Sequence, residues 1–300
     1  LAGFTFAQDA PLWMRHSVIS PDGTTIAFTY KGDIYTVPVA GGRAMQITTN
    51  PAYDTAPVWS PDSKRIAFAS DRMGSLDVYI VAKDGGEPRR LTTHSGSETP
   101  LAFTDAGHVL FSAGIMPSAE AVVFPSNGQF NQVYRVSVEG GRPTMISSMP
   151  MECISINKEG AMLYQDKKGY EDYWRKHHVS PIARDIWMYT PGKEPQYRQL
   201  TTFGGEDREP VWAPDGKTFY YLSEENGSFN IYRRTPGDAK AVQLTHYTKN
   251  PVRYLSAATD GRLCYGFDGE IYTLLPGGEA QKVNISIVSD RNDKDIIRQI

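Results

Sequence analysis

Apolar residues along this chain fall in short runs, and each run is set off by a recurring polar turn. The runs TIAFTY, RIAFAS, HVLFSA, AMLYQD, TFYYLS and RLCYGF are too short for helices and rich in β-branched and aromatic residues, so they predict strands. Their period-2 alternation is partial, as expected where neighbours cover both faces of a sheet. Just before each run lies a turn. It reads Ser-Pro-Asp-Gly at Ser20–Gly23, SPDS from Ser60, TDAG from Thr104, NKEG from Asn157, APDG from Ala213 and ATDG from Ala258. Pro pre-sets φ, Asp bonds nearby backbone amides and Gly accepts positive φ. Asp22, Asp62 and Asp215 are therefore expected to cap turns, in preference to catalysis or calcium binding.

Two further parts complete the unit. An acidic or amide residue, a β-branched residue and an aromatic recur as Asp33-Ile34-Tyr35, Asp77-Val78-Tyr79, Gln132-Val133-Tyr134, Asp185-Ile186-Trp187, Asn230-Ile231-Tyr232 and Glu270-Ile271-Tyr272. After a glycine-containing turn come QITT, RLTT, MISS, QLTT and QLTH, with KVNI in the last unit. Together with the short apolar run before each turn (SVIS, PVWS, LAFT, ISIN, VWAP, LSAA), these parts predict four antiparallel strands per unit. The turns are spaced by 40, 44, 53, 56 and 45 residues. A single small sheet cannot bury both faces, so six must pack around an axis as an all-β, six-bladed β-propeller with four-stranded antiparallel blades. An irregular sandwich would not repeat four aligned parts six times. Trp59 and Trp212, at equivalent turn positions, are expected between blades.

The units run about 13–49, 50–93, 94–148, 149–202, 203–246 and 247–284 within a propeller domain over 9–284. Residues 1–8 read as a signal-peptide remnant, because LAGFTFA places Thr5 and Ala7 at the −3 and −1 positions; an ordinary first strand is the alternative. Residues 285–300 read as the start of a connection to a further domain. For ring closure, either Phe4–Gln8 adds a strand to the last blade or Ile285–Val288 pairs with the first. Formal net charge is −3, which offers no basic field for nucleic acid. No apolar run approaches the ~20 residues needed to span a bilayer. Cys153 and Cys264 lie in different units without a CxxC pattern, and two buried free thiols are expected.

The Trp/apolar-Ser-Pro-Asp-Gly turn with Ile-Ala-Phe and Asp-Ile-Tyr strands resembles TolB-like propeller repeats. Such repeats also occur in tricorn-type serine peptidases and in prolyl-oligopeptidase relatives. LWMRHSVISPDGTTIAFTYKGDIYTVPVAGG, from Leu12, and YEDYWRKHHVSPIARDIWMY, from Tyr170 to Tyr189, are similar to the amino-terminal six-bladed propeller of bacterial tricorn-type peptidases. The resemblance covers roughly Trp13 to Asn284. It implies a non-catalytic, exported or periplasmic propeller whose parent carries the serine peptidase site in carboxy-terminal domains. Its implied partners are peptide or protein segments and those missing domains, with homo-oligomer assembly left open. A TolB-like periplasmic interaction scaffold without enzymatic activity is the alternative. For a propeller enzyme acting on sugars or lactones, no convincing axial set of acids can be placed.

The residues themselves supply no catalytic motif: GxSxG, HExxH, GxxxxGK[ST] and GxGxxG are all absent. No catalytic residue, metal site or cofactor is therefore assigned. Two insertions break the period, Ala113–Asn131 and Asp166–Arg184, both between second and third strands of adjacent units. Long loops on a rigid scaffold are where binding concentrates. The second insertion supplies a candidate rim site of Tyr170, Tyr173, Trp174, Arg175, Lys176, His177 and His178, whose aromatic and Arg content suits binding. Packing of the two loops on each other, or on a missing domain, would use the same aromatics. A candidate channel mouth comprises His16, Asp54, Glu98, Glu152, Arg208, Glu209 and Arg253, with a peptide-guiding role set against a plain solvated lining.

Overall fold

Six four-stranded antiparallel sheets follow one another along the chain, with no helix among the described residues. The computed structural model describes residues 11–114, 131–169 and 179–288. Blade one is Arg15–Ile19, Thr25–Tyr30, Asp33–Pro38 and Met45–Gln46. Blade two is Asp54–Trp59, Arg65–Ser70, Asp77–Ala82 and Arg89–Arg90. Blade three is Glu98–Asp105, His108–Ala113, Gln132–Ser137 and Thr144–Ser147. Blade four is Met151–Ile156, Met162–Asp166, Ile186–Thr190 and Gln196–Gln199. Blade five is Asp207–Trp212, Phe219–Ser223, Asn230–Arg234 and Val242–Gln243. Blade six is Arg253–Ala257, Leu263–Phe267, Glu270–Leu274 and Gln281–Lys282. The first strands adjoin one another in a closed ring, so they line the central channel.

Each repeated sequence part has a bond that explains it. In the Ser20 turn, Ser20 Oγ donates to Asp22 Oδ1 at 2.6 Å, and the Thr24 amide donates to the same oxygen at 3.0 Å. Ser60 and Asp62 repeat the first of these bonds at 2.6 Å, and Asp215 Oδ1 accepts the Lys217 and Thr218 amides, each at 2.8 Å. The aspartates do cap turns. The aromatics of the second and third strands face each other directly, as Phe28–Tyr35, Phe68–Tyr79, Phe111–Tyr134, Tyr164–Trp187, Tyr221–Tyr232 and Tyr265–Tyr272. Such cross-strand pairs stabilise a sheet beyond the area they bury.

The threonine ending the unit caps the third strand. Thr48, Thr92, Thr201 and Thr245 each accept, at 2.9–3.0 Å, the amide of the residue after the acidic or amide position. Thr245 also donates to Asn230 Oδ1 at 2.9 Å. Thr245→Val keeps the shape, leaves the buried Ile231 amide unpaired and takes from Asn230 Oδ1 one of its two donors, the Tyr247 amide remaining. It is expected to lower folding stability by about 1–3 kcal/mol, read from urea denaturation.

Burial is organised between blades. Six apolar clusters each join residues of two neighbouring blades, one cluster per junction. Trp59 Nε1 donates to Val18 O at 3.0 Å across the first junction, and Trp212 Nε1 donates to Ala161 O at 3.1 Å across the fourth. The ring closes through Ile285–Ser286, which pair in parallel with Gly42–Arg43 of blade one. Gly42 N donates to Asn284 O at 2.8 Å, and Ala44 N donates to Ser286 O at 2.9 Å. Of the two closures expected, this is the one from the carboxy-terminal side. Phe4–Gln8 lie outside the described residues.

Candidate functional site

Chain direction gives the ring two distinct faces. The Ser-Pro-Asp-Gly turns and the connections from third to fourth strands share one face. The blade-to-blade connections and the loops from second to third strands share the other, called here the connection face. Among the described residues, Leu12, Trp13, Tyr53, Met73, Met149 and Val179 are large exposed apolar side chains on the connection face. Leu275 lies on the turn face, Met45 and Val242 stand at the turn-face ends of fourth strands, and Met145, Ile146 and Tyr197 lie along the outer fourth strands. A surface groove of about 450 Å³ on blade five is lined by the Ala213–Asp215 turn and by Thr235 and Asp238, so it belongs to the turn face.

The first strands bulge where they line the channel. Five carry a non-glycine residue in the left-handed region four positions before the turn: His16 at φ 49°, Ala56 at 51°, Cys153 at 52°, Glu209 at 50° and Tyr254 at 59°. At each of these, two residues oppose one aromatic on the second strand, namely Phe28, Phe68, Tyr164, Tyr221 and Tyr265. In blade three the position is Pro100, whose ring fixes φ near −65°, and the bulge moves on to between Pro100 and Ala102. Nothing in the residue types announces this ring, because His, Ala, Cys, Glu and Tyr share no turn preference. Only their constant offset from the turn could have found it.

The channel-mouth candidates occupy several environments. His16 Nδ1 lies 3.2 Å from Thr55 Oγ1 and its ring centroid is 5.0 Å from that of Tyr254. Burial, helped by Arg15, holds its pKa down at about 4, so the imidazole is neutral at pH 7. Asp54 is buried under Arg72, whose Nη2 donates to both carboxylate oxygens at 3.0 Å. Glu98 is also buried, and Arg253 is half-buried at the start of its strand.

Glu152, Arg208 and Glu209 meet at the junction of blades four and five. Glu152 Oε2 accepts Arg184 Nε and Gln165 Nε2, each at 3.0 Å. Burial works to raise the Glu152 pKa, but Arg184, Gln165 and Lys167 together bring it below the usual carboxylate value. Arg208 Nε donates to Glu206 Oε2 at 2.5 Å, and its guanidinium lies 5.1 Å from the centre of the Phe229 ring. Glu209 Oε2 accepts the Leu255 amide at 2.8 Å, and the Glu209 amide donates to Gln165 Oε1 at 3.0 Å. The network is buried and well bonded, which suits holding three blades in register. Arg184, Glu206 and Gln165 were missed from sequence because they lie outside the first-strand positions.

Cys153 departs from expectation. Cys264 is buried, but Cys153, at the bulge of its first strand, is exposed. The protein around it, followed by Glu209 and Glu152, pushes its thiol pKa well above the ordinary value. Thiolate chemistry at neutral pH is thereby suppressed. Among the described residues, no group of three or more His, Cys, Asp and Glu is placed to hold a metal ion. The rim candidates Tyr170, Tyr173, Trp174, Arg175, Lys176, His177 and His178 lie outside the described residues. Beside them, Lys168 Nζ donates to Ala183 O at 2.7 Å and so ties the two feet of the insertion. No described helix is long and apolar enough to cross a membrane.

A family model for the tricorn protease N-terminal beta propeller domain matches residues 11–280. Tricorn protease homolog 1 of Streptomyces coelicolor is 26% identical over 95% of this chain, which corresponds to 26% of that protein. A tricorn protease homolog of Saccharolobus solfataricus is 23% identical over 94% of this chain and 26% of its own length. The chain thus spans about a quarter of these curated relatives. Among solved structures, the tricorn protease superposes with a TM-score of 0.77 at 19% identity, over 94% of this chain and 27% of that one. The β-propeller domain of the Trilobed protease from Pyrococcus furiosus gives 0.54 at 16% identity, over 94% and 85%. Through its repeats, its six blades and the match along nearly its whole length, the chain belongs to the family of tricorn protease N-terminal β-propeller domains.

Proposed function

We propose that this propeller is a non-catalytic part of an exported tricorn-like serine peptidase and that it works through its connection face. There it guides or gates unfolded peptide, or docks the catalytic domains of its own chain. The observation that carries the reading is the asymmetry of the two faces. Six exposed large apolar side chains share the connection face with both long insertions and with the channel mouth. Exposed apolar side chains gathered on one face mark interaction surfaces. The bonded charges of the channel wall suit a rigid frame better than an acid–base pair. Export rests on the spacing of Thr5 and Ala7, and amino-terminal sequencing of the mature protein tests it.

Replacing Trp13, Met73 and Val179 together by Ser tests the face. The circular dichroism spectrum and melting temperature are expected to stay unchanged, while binding of a reduced, alkylated polypeptide probe or of the downstream domains falls at least tenfold. Undiminished binding of both overturns the assignment of the face. The 300-residue chain is expected to hydrolyse no peptide. Hydrolysis abolished by a serine-directed reagent would refute the non-catalytic reading. The reading frame beyond Ile300 decides the parent: a serine peptidase domain supports the proposal, and a stop codon favours a self-contained scaffold.

A further inference from the structure

At blade junctions, the residue opening or just preceding a first strand bonds back to the preceding blade. Its amide reaches the carbonyl next to the acidic or amide residue that opens the third strand there. Asp54 N donates to Gly32 O at 2.7 Å, beside Asp33. Glu98 N donates to Leu76 O at 2.6 Å, beside Asp77, and Asp207 N donates to Arg184 O at 3.0 Å, beside Asp185. Val252 N and Met14 N do the same beside Asn230 and Glu270. The repeat therefore sets two particular side chains together at a seam. At three seams both are acids: Asp33 with Asp54, Asp77 with Glu98, and Asp185 with Asp207. Two further seams pair Asn230 with Val252 and Glu270 with Met14, and at the seam of blades three and four the corresponding sequence positions are Gln132 and Met151.

The three acid pairs differ in what neutralises them. In the first, Arg72 covers both oxygens of Asp54, and Gln46 Nε2 donates to Asp33 at 3.1 Å. The other two are under-served. Among the described residues, the buried carboxylate oxygens without a hydrogen-bond partner belong to Asp77, Glu98, Asp185 and Asp207. Arg90 Nη2 reaches Asp77 Oδ2 at 2.8 Å as an ion pair, and Lys168 Nζ lies 2.5 Å from Asp185 Oδ2. One cation thus serves two acids in each pair, Lys168 being shared with Asp166 as well at 3.6 Å, and all four acids of the pairs are at most 5% exposed. Leaving both carboxylates charged would bury one uncompensated negative charge, and a proton removes it.

Other groups face these pairs as well. Glu98 is approached by the Thr92 hydroxyl and the His94 amide in addition to Asp77. Asp207 is approached by the Thr201 and Ser223 hydroxyls and by Glu225, with Tyr221 close by. Asp185 is faced by Gln199, whose Nε2 donates to its Oδ2 at 3.0 Å, and by Asp166, whose Oδ1 accepts the Asp185 amide at 2.8 Å and whose own pKa is raised by burial. None of these supplies a second cation.

We propose that Asp77–Glu98 and Asp185–Asp207 each hold one proton across a blade seam, and that its release loosens the propeller at those two seams. The two seams bound blades three and four, the pair that carries both long insertions. The seam inside that pair, Gln132 with Met151, has no acid couple. Deprotonation therefore frees a two-blade body, while the rest of the ring stays closed.

Protonation levels agree with the geometry. Burial pushes Glu98 up to about 7, with the Thr92 hydroxyl acting against it and Asp77 adding to it. Burial likewise takes Asp207 to about 7, opposed by Ser223 and Thr201 and assisted by Asp185. In the unfolded chain these acids ionise at about pH 4. Their contribution to stability is thus complete below about pH 4, declines as pH rises and is gone above about pH 7. His16 has the opposite sign. Its pKa of about 4 lies below the unfolded value, so it costs stability as pH falls from about 6.5 to about 4.

Glu98→Gln with Asp207→Asn in the full chain tests the proposal. In the natural chain, the folding constant is expected to fall by up to about tenfold per pH unit for each proton between about pH 4.5 and 7. The double variant should lose most of that fall, leaving the smaller contribution of Asp166 and the opposite one of His16. Hydrogen exchange, corrected for intrinsic rates, should rise between about pH 6 and about pH 8.5 in Glu98–Asp105 and Asp207–Trp212 of the natural chain only. An unchanged pH slope in the double variant, or exchange rising equally at all six seams, overturns the proposal. Should that variant fail to fold, Asp77→Asn and Asp185→Asn remove the neighbouring charge. They are expected to move the loss of the protonated-carboxyl infrared band to lower pH, and an unmoved band is equally fatal.

Discussion

Replacing Phe68 by Ala is expected to lower the folding stability by about 3–5 kcal/mol, read from urea denaturation. Phe68 is fully buried in the cluster between blades one and two. Its ring stacks on Tyr79 at 5.9 Å and sits opposite the bulge at Ala56, so no single neighbour can move in to fill the space. The loss has a second component. Arg72 lies 5.5 Å from the Phe68 ring and 4.5 Å from that of Tyr79 while it covers Asp54. Without the phenyl ring, the guanidinium loses part of the platform that aims it at a buried carboxylate. A loss below about 1 kcal/mol would show that the blade collapses around the cavity and that the aromatic pairs contribute little.

Gly41→Ala is the second large effect, and Gly85→Ala is its internal control. The two glycines hold the same place in the turn between third and fourth strands, at φ +86° and +90°. A methyl group at Gly85 meets only Ile47 O, at 3.9 Å, so that variant carries the left-handed strain alone, about 1–2 kcal/mol. At Gly41 the methyl carbon falls 2.5 Å from Asn284 O and 3.2 Å from Asn284 N, where neither backbone can yield without parting Ile285–Ser286 from Gly42–Arg43. Gly41→Ala is expected to cost at least about 2 kcal/mol more than Gly85→Ala, with faster exchange at Gly42 and Ala44. Equal costs for the two variants would mean that the parallel pairing adds nothing to closure.

What was legible in the sequence was what repeats within one unit. The capping aspartates, the recurring third-strand aromatics and the tryptophans between blades all follow from local spacing, so a period in the forties exposes them. The bulge residues were hidden because His16, Cys153 and Glu209 share no residue type that announces the left-handed geometry they adopt. The channel mouth was only partly readable. Positions before the first strands could be named, but their partners come from third strands and from inter-blade connections, such as Arg184 and Glu206 around Glu152 and Arg208. Charge pairing across a seam depends on which blade lies next to which, and that is known only once the ring is built.

Closure at the outer edge has an evolutionary consequence. Every four-stranded sheet here comes from one unbroken stretch of chain, and the last blade borrows no strand from the first. A ring assembled this way has no privileged starting point. Its ends could be joined and the chain reopened at any blade-to-blade connection without dividing a sheet, and whole units could be duplicated or lost in the same manner. Circular permutation is thus open to this propeller at each of the five blade-to-blade connections within the chain.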